Sequence, residues 1–286
     1  MKKKVRAILC PHCGKITDIA EANCIWCGSA TGYSARMKQR WINLLNDSEM
    51  LIQGVLYLNI GMFVLSLFLN SHIPAITLNP FTALSPDAES LLLLGATGTG
   101  PIDTIHFRWS LGWLTFLSAN YLHGGILHIL FNMVALKQIA PVVAREYGVY
   151  RFIIIYSIGG VIGFYVSYLA GISLTIGASS AICGLLGALL FFGWSRGGQY
   201  GNLVFKQIGS WILTLFIFGF LMSGINNWGH LGGILGGMVL GWILGYGEKR
   251  PEAHLDRFAA GTIAVITLLV LGWSAITGTL VRYGNI

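Results

Sequence analysis

From residue 50 onward the chain is a succession of apolar stretches, each near the roughly 20 residues that carry a helix across a bilayer. No other feature restricts the fold as much. In hydrocarbon every backbone N–H and C=O must find a partner within the protein, and helices satisfy that demand segment by segment. Spans are expected at 50–70, 120–142, 150–171, 178–195, 207–223, 228–247 and 259–280. Composition agrees: 55% of residues are apolar and 10% charged, whereas a soluble domain carries about 25% charged residues. The expected class is an all-α polytopic membrane protein. It has a six-helix core over 50–247, one more transmembrane helix over 259–280 and a small polar N-terminal module over 1–40.

The connection 71–119 does not read as a span. It holds Pro74, Pro80, Pro86 and Pro101, several glycines and short apolar patches, so a folded loop at the membrane edge is expected. Its aromatic group, Phe107, Trp109, Trp113 and Phe116, suits an interface. With the N-terminus on the cytoplasmic side, all but Arg108 and Arg282 of the 18 Lys and Arg residues fall on that side. Such asymmetry sets orientation in membrane proteins, and it accounts for the net charge of +7 without nucleic acid. The opening MKKKVR runs into polar, Cys-containing sequence rather than a short apolar core, so no cleavable signal peptide is expected.

The N-terminal module contains CPHCGKITDIAEANCIWCG, which places Cys10, Cys13, Cys24 and Cys27 in a CxxC-x10-CxxC spacing. Four thiolates from two such turns suit tetrahedral zinc, as in a zinc ribbon. A cytoplasmic location disfavours disulfides, and a module this small folds through its metal. A redox pair or a vestigial knuckle is the competing reading, and His12 is a secondary ligand candidate.

Polar groups recur at one depth in three spans that run in the same direction. The second reads NYLHGGILHILFNM, with His128 and Asn132 spaced i, i+4 on one helix face and His123 on another. At 1.5 Å per residue, His128 and Asn132 lie about 8 and 14 Å below His123. His123 is expected to anchor a loop. An ionisable residue within a span is costly and marks a functional site by default, which favours such a role for His128 and Asn132. The fourth span places Ser179 in its first turn, after Gly177, and the sixth places His230 in its first turn. Gly233, Gly237 and Gly241 on the sixth span, with Gly184, Gly187 and Ala188 on the fourth, would let those two helices approach closely. Ser179 and His230 would then come within hydrogen-bond reach, the usual arrangement of a nucleophile and its base. No carboxylate lies near these helix ends, because Asp87, Glu89 and Asp103 are in the long loop. A dyad is therefore expected rather than a triad. His128, Asn132 and the backbone N–H of Ser179 are the candidate oxyanion donors, and the reaction needs no cofactor.

These residues resemble the rhomboid family of intramembrane serine proteases over about residues 50–247. The resemblance rests on three motifs. One runs from His123-Gly124-Gly125 through His128 to Asn132-Met133, the second is Gly177-Ala178-Ser179, and the third spans Asn226 to Gly233 around His230. The seventh span matches the six-plus-one form of the family, and the Cys module lies outside the similarity. The resemblance implies that Ser179 attacks the scissile carbonyl to form an acyl-enzyme while His230 shuttles its proton. It implies that His128, Asn132 and the Ser179 amide hold the oxyanion, with Gly177, His123, Ser180, Cys183 and Asn227 in supporting positions. It further implies, as partners within the lipid bilayer, membrane-anchored protein substrates with unstable transmembrane helices, cleaved near the outer face. A prokaryotic plasma membrane fits the basic tail and compact loops.

The chain departs from the family pattern at Ser180, where glycine is usual, and at Cys183, where an aromatic often supports the histidine. The Trp-Arg loop motif is also not intact. Ser180 and Cys183 are the grounds for an alternative, a non-proteolytic relative that binds or escorts membrane proteins. A small-solute channel is a third reading, disfavoured by the apolar inner halves of the three spans.

Overall fold

The computed structural model describes residues 7–10, 12–18, 23–29, 47–72, 83–104, 111–222 and 224–284. Phe107 and Trp109 of the expected interfacial group lie outside the described residues, as do Arg108, Pro74 and Pro80. The chain divides into two compact units, residues 1–51 and 52–286.

The first unit contains a short antiparallel hairpin, β1 (Ala7–Leu9) with β2 (Ile16–Asp18), in which Ile8 pairs with Thr17. The second unit is helical. Its long helices are α1 (Ser48–Phe68, which begins just before the boundary), α4 (Ile126–Tyr147), α5 (Val149–Leu169), α6 (Ser179–Arg196), α7 (Gly198–Leu221), α8 (Asn227–Leu244) and α9 (His254–Tyr283). The long connection carries the short helices α2 (Ala88–Leu93) and α3 (Thr115–Ser118), with further single turns at Gly100–Thr104, Gly112–Leu114 and Ala119–Tyr121.

Six of these helices, α1, α4, α5, α6, α7 and α9, are long and apolar enough to cross a membrane. This is a multi-pass membrane protein. The expected span at 228–247 is present as α8, which is not among these six. Six of its 18 residues are glycine, and Asn227 and His230 lower its hydropathy further. Those glycines make α8 a partner for other helices. One face is buried against α5 and α6, while Leu235, Val239 and Trp242 on the other are exposed. A methyl group at Gly237 would overlap the carbonyl of Gly184 in α6, and one at Gly187 would overlap the carbonyl of Ile234. The backbones of α6 and α8 therefore meet with no side chain between them, the contact that small residues permit in membranes.

Helix ends depart from the expected ones where backbone chemistry intervenes. The second long helix starts at Ile126, not near 120, because Leu122 is extended and Gly124-Gly125 precede the first turn. It continues past Pro141 to Tyr147 and stops at Gly148, whose φ of +99° suits glycine. The helix expected at 207 begins at Gly198, and the last extends from His254 to Tyr283.

Arg151, which reads from sequence as a loop charge, is fully buried at the start of α5. Its guanidinium pairs with Asp256 of α9 at 2.8 Å. It also donates to the carbonyls of Gly245, Arg250 and Pro251, which end α8 and lead into α9. Glu252 accepts the N–H groups of Tyr150 and Arg151 at the open end of α5, where a carboxylate is favourable. Removing one partner of such a pair leaves the other buried and uncompensated, at a cost of about 3–5 kcal/mol. Arg151→Ala is therefore expected to lower the thermal unfolding midpoint in detergent sharply, and exposed Arg145→Ala to leave it nearly unchanged. Equal midpoints for the two variants would contradict this account.

Candidate active site

The segment before α6 is held by its backbone. Thr97 and Thr175 exchange N–H···O bonds in both directions, at 3.2 and 2.7 Å. Thr99 donates to Ile172, Gly100 donates to Ser173, and Gly177 donates to Ala119. The long connection thus forms a ladder beside residues 172–177. Gly177 has a φ of +128° and lies against His128, leaving no place for a side chain. One residue beyond Ala178, α6 begins with Ser179.

Ser179 Oγ lies 2.9 Å from His230 Nε2. The hydroxyl is partly exposed and the imidazole is buried. His230 Nδ1 is buried with no hydrogen-bond partner among the described residues, so none of their carboxylates bonds the ring. Asn226 sets the start of α8 instead. Its Oδ1 accepts the N–H of Gly229, while its Nδ2 donates to Ser167 Oγ at the end of α5 and to Thr175 Oγ1 at 2.8 Å. Asn227, the neighbour singled out from the motif, packs against Gly219 of α7, with its Oδ1 buried and without a hydrogen-bond partner among the described residues. Asn is favourable at both positions of a helix start, so sequence alone does not say which one caps.

His128 sits one turn into α4. Its Nδ1 accepts the N–H of Gly124 at 3.2 Å, which assigns the ring proton to Nε2. Nε2 faces Gly177, and Ser179 Oγ borders the same Cα. Asn132 is buried and donates to the carbonyl of His128 at 2.8 Å, within its own helix. One of its two amide hydrogens is thereby occupied. His123 is fully buried, and neither ring nitrogen has a hydrogen-bond partner among the described residues. Its ring meets that of His128 edge-on at 5.1 Å.

Ser180 points away from Ser179. It is buried and donates to the carbonyls of Gly229 and Gly160, at 3.1 and 3.3 Å, where α8 and α5 converge on α6. Cys183 is buried against Gly233, three residues after His230. A larger residue there would push α8 outward.

In the N-terminal unit the sulfurs of Cys10, Cys13, Cys24 and Cys27 all lie within 4.8 Å of one another, a cluster that can hold a metal ion. Both CxxC turns close alike. Gly14 donates to the Cys10 carbonyl and Gly28 to that of Cys24, with φ near +70° at each glycine. Cys10–Cys27 and Cys13–Cys24 are separated by 3.7 and 3.8 Å. A tetrahedral ion bonded at about 2.3 Å to each sulfur sets the sulfurs about 3.8 Å apart, so the donor set fits zinc. The Ser29 hydroxyl, followed by backbone N–H groups of the turn, draws the Cys10 thiol down to about 5, which favours the thiolate that metals bind. His12 is exposed and is not part of the cluster.

The chain is similar in sequence to known proteins. Residues 110–247 match the family described as Rhomboid domain. The chain is 36% identical over 137 residues to Rhomboid protease GluP of Bacillus subtilis, covering 46% of this chain and 26% of that protein. It is 32% identical over 190 residues to RHOMBOID-like protein 4 of Arabidopsis thaliana, covering 61% and 47%. To Putative rhomboid protease YdcA of Bacillus subtilis it is 34% identical over 117 residues, covering 40% and 57%. The chain thus spans less than two thirds of each of these relatives. The matched segment holds Ser179, His230 and the helices that carry them, and over residues 110–247 the chain is similar to the rhomboid family.

Proposed function

We propose that this chain is an intramembrane serine endopeptidase that cleaves the transmembrane segments of other membrane proteins near the outer face. One observation carries the reading, the 2.9 Å approach of His230 Nε2 to Ser179 Oγ at the starts of two helices packed backbone to backbone. Ser179 Oγ attacks the scissile carbonyl while His230 Nε2 takes its proton. The new O–C bond gives a tetrahedral oxyanion. His230 then passes the proton to the leaving amine as the C–N bond breaks, and an acyl-enzyme remains. Water, deprotonated by the same imidazole, adds to the ester and restores the serine hydroxyl. The pair acts as a dyad.

The oxyanion donors are His128 Nε2–H, the Ser179 amide and Asn132. The accepting Nδ1 of His128 supports its role, because it leaves the proton on the nitrogen that faces Gly177 and the serine. Asn132 has one amide hydrogen to offer, the other being held by the His128 carbonyl. The open N-terminus of α6 adds favourable N–H dipoles. Substrates are membrane-anchored proteins whose transmembrane helices unwind readily. The packing of Ser180 and Cys183 supports this reading over a non-proteolytic one, because neither departure from the family pattern intrudes on the Ser179–His230 pair.

We further infer that the N-terminus is cytoplasmic in a prokaryotic plasma membrane, from the one-sided Lys and Arg distribution. Residues 1–40 then form a zinc-ribbon-like module, 50–247 the catalytic core and 259–280 the seventh span. The four thiolates of Cys10, Cys13, Cys24 and Cys27 would hold zinc, which cross-links the two turns and takes no part in hydrolysis.

Two experiments test these readings. A fluorophosphonate is expected to label the native chain and to lose at least about 10³-fold in labelling rate on Ser179→Ala. Ser180→Ala is expected to remain labelled, while losing about 1–3 kcal/mol of stability as a buried bonding group is removed. Labelling that survives Ser179→Ala and vanishes in Ser180→Ala would reassign the nucleophile. For the module, metal analysis of the purified full chain is expected to find about one zinc per chain, lost on Cys10→Ser. Zinc content unchanged by that substitution would remove the assignment.

A further inference from the structure

Arg282 lies in the last turn of α9, far in sequence from every residue of the site, and none of the family motifs includes it. Its side chain is 15% exposed. Nε donates to the carbonyl of Leu69, just past the end of α1, at 2.6 Å. Nη1 meets Glu89 at 3.3 Å, and Nη2, buried and without a hydrogen bond among the described residues, has the Asp87 carboxylate at 3.8 Å. The neighbouring Tyr283 hydroxyl donates to the carbonyl of Phe68. One turn back, Gly278 packs on the carbonyl of Leu93 and the side chain of Leu69. The end of α9 is thus bound to both ends of α2 and to the end of α1.

Asp87 is the N-cap of α2. It accepts N–H and hydroxyl bonds from Ser71 and Ser90, and its own N–H is held by Asn70. Although burial opposes ionisation, those bonds hold its carboxyl well below the usual carboxylate range. Asp87 therefore stays anionic beside Arg282. Past α2 the chain turns through Leu94, Ala96 and Thr97, all fully buried. At Thr97 it enters the backbone ladder with Thr175. From Thr175 two short paths run to the site. One passes through Gly177 to Ser179. The other passes through the Thr175 hydroxyl, which accepts from Asn226, the cap of the helix that carries His230.

We propose that Arg282 is a positioning residue for the Ser179–His230 pair, acting through α2 and the Thr97–Thr175 ladder. The proposal rests on the proteolytic reading above. The seventh helix then has a specific task. It fixes the long connection at the end remote from the site, so that the ladder holds Thr175, and with it both helix starts, in one register. A displacement of about 1 Å in such a pair costs about 100-fold in rate.

The test compares native chain, Arg282→Ala and Arg282→Lys in detergent, well below their unfolding temperatures. In Arg282→Ala, kcat on a transmembrane substrate and the fluorophosphonate labelling rate are both expected to fall about 10- to 100-fold, with KM changed by less than about threefold. Arg282→Lys keeps the charge and a donor but not the fork, and is expected to recover part of the loss. Hydrogen exchange at the Thr97, Thr175 and Gly177 amides is expected to rise in Arg282→Ala. Native kcat and labelling rate in Arg282→Ala, or faster exchange confined to residues 69–94, would overturn the proposal. If Arg282→Ala does not fold, Arg282→Lys decides by the same readouts: unchanged kcat, labelling and ladder exchange would overturn it. A native chain that never labels, while ladder exchange still responds to Arg282→Ala, would fail the proteolytic reading and leave the coupling standing.

Discussion

Two helix backbones in contact, α6 and α8, set the position of nearly everything else. Gly184 and Gly187 on one side face Gly237 and the carbonyl of Ile234 on the other, and no side chain separates them. At ordinary separations, set by leucine or phenylalanine, helix axes lie 8–10 Å apart. A serine and a histidine in the first turns of two such helices would need long side chains to meet. Here the short hydroxymethyl of Ser179 reaches His230 directly. The same contact explains why Ser180 and Cys183 are small. Both lie on the face of α6 that touches α8, where Ser180 bonds the Gly229 carbonyl and Cys183 rests on Gly233.

Helix packing alone does not orient the pair. Ser179 depends on Gly177, which depends on the ladder, and His230 depends on the cap provided by Asn226. Thr175 serves both, through its backbone on one side and its hydroxyl on the other. The long connection is therefore part of the site's framework and not a cover laid over it. Its aromatic residues Trp113 and Phe116 pack on Tyr165 and Tyr168 of α5, which ties the connection to the helix bundle as well.

Much of this was legible in the residues, and the remainder was hidden for physical reasons. Apolar length revealed the spans, and the common depth of Ser179, His128 and His230 pointed to one site, because polar groups in lipid rarely lack a reason. The CxxC spacing revealed the cysteine cluster, since so few chemistries use that pattern. The start of α4 was misjudged because hydropathy does not register the break made by Gly124-Gly125. The target of Ser180 could not be read, because its acceptors are carbonyls on other helices, chosen by how those helices cross. The ladder was invisible for a related reason: pairing between main chains leaves almost no trace in side-chain identity. The burial of Arg151 could not be read, because nothing local announces that Asp256 will enclose it.

That last pair bears on how the molecule is made. Arg151 precedes Asp256 by 105 residues. A chain leaving the ribosome N-terminus first presents the cation long before its counter-ion has been synthesised. Until α9 is threaded into the bilayer, the guanidinium has neither that carboxylate nor the carbonyls of the α8–α9 turn to bond, and its stable place is in headgroup water. The start of α5 can therefore seat itself fully only after α9 has been delivered, so this ion pair couples the seating of one helix to the insertion of another made much later.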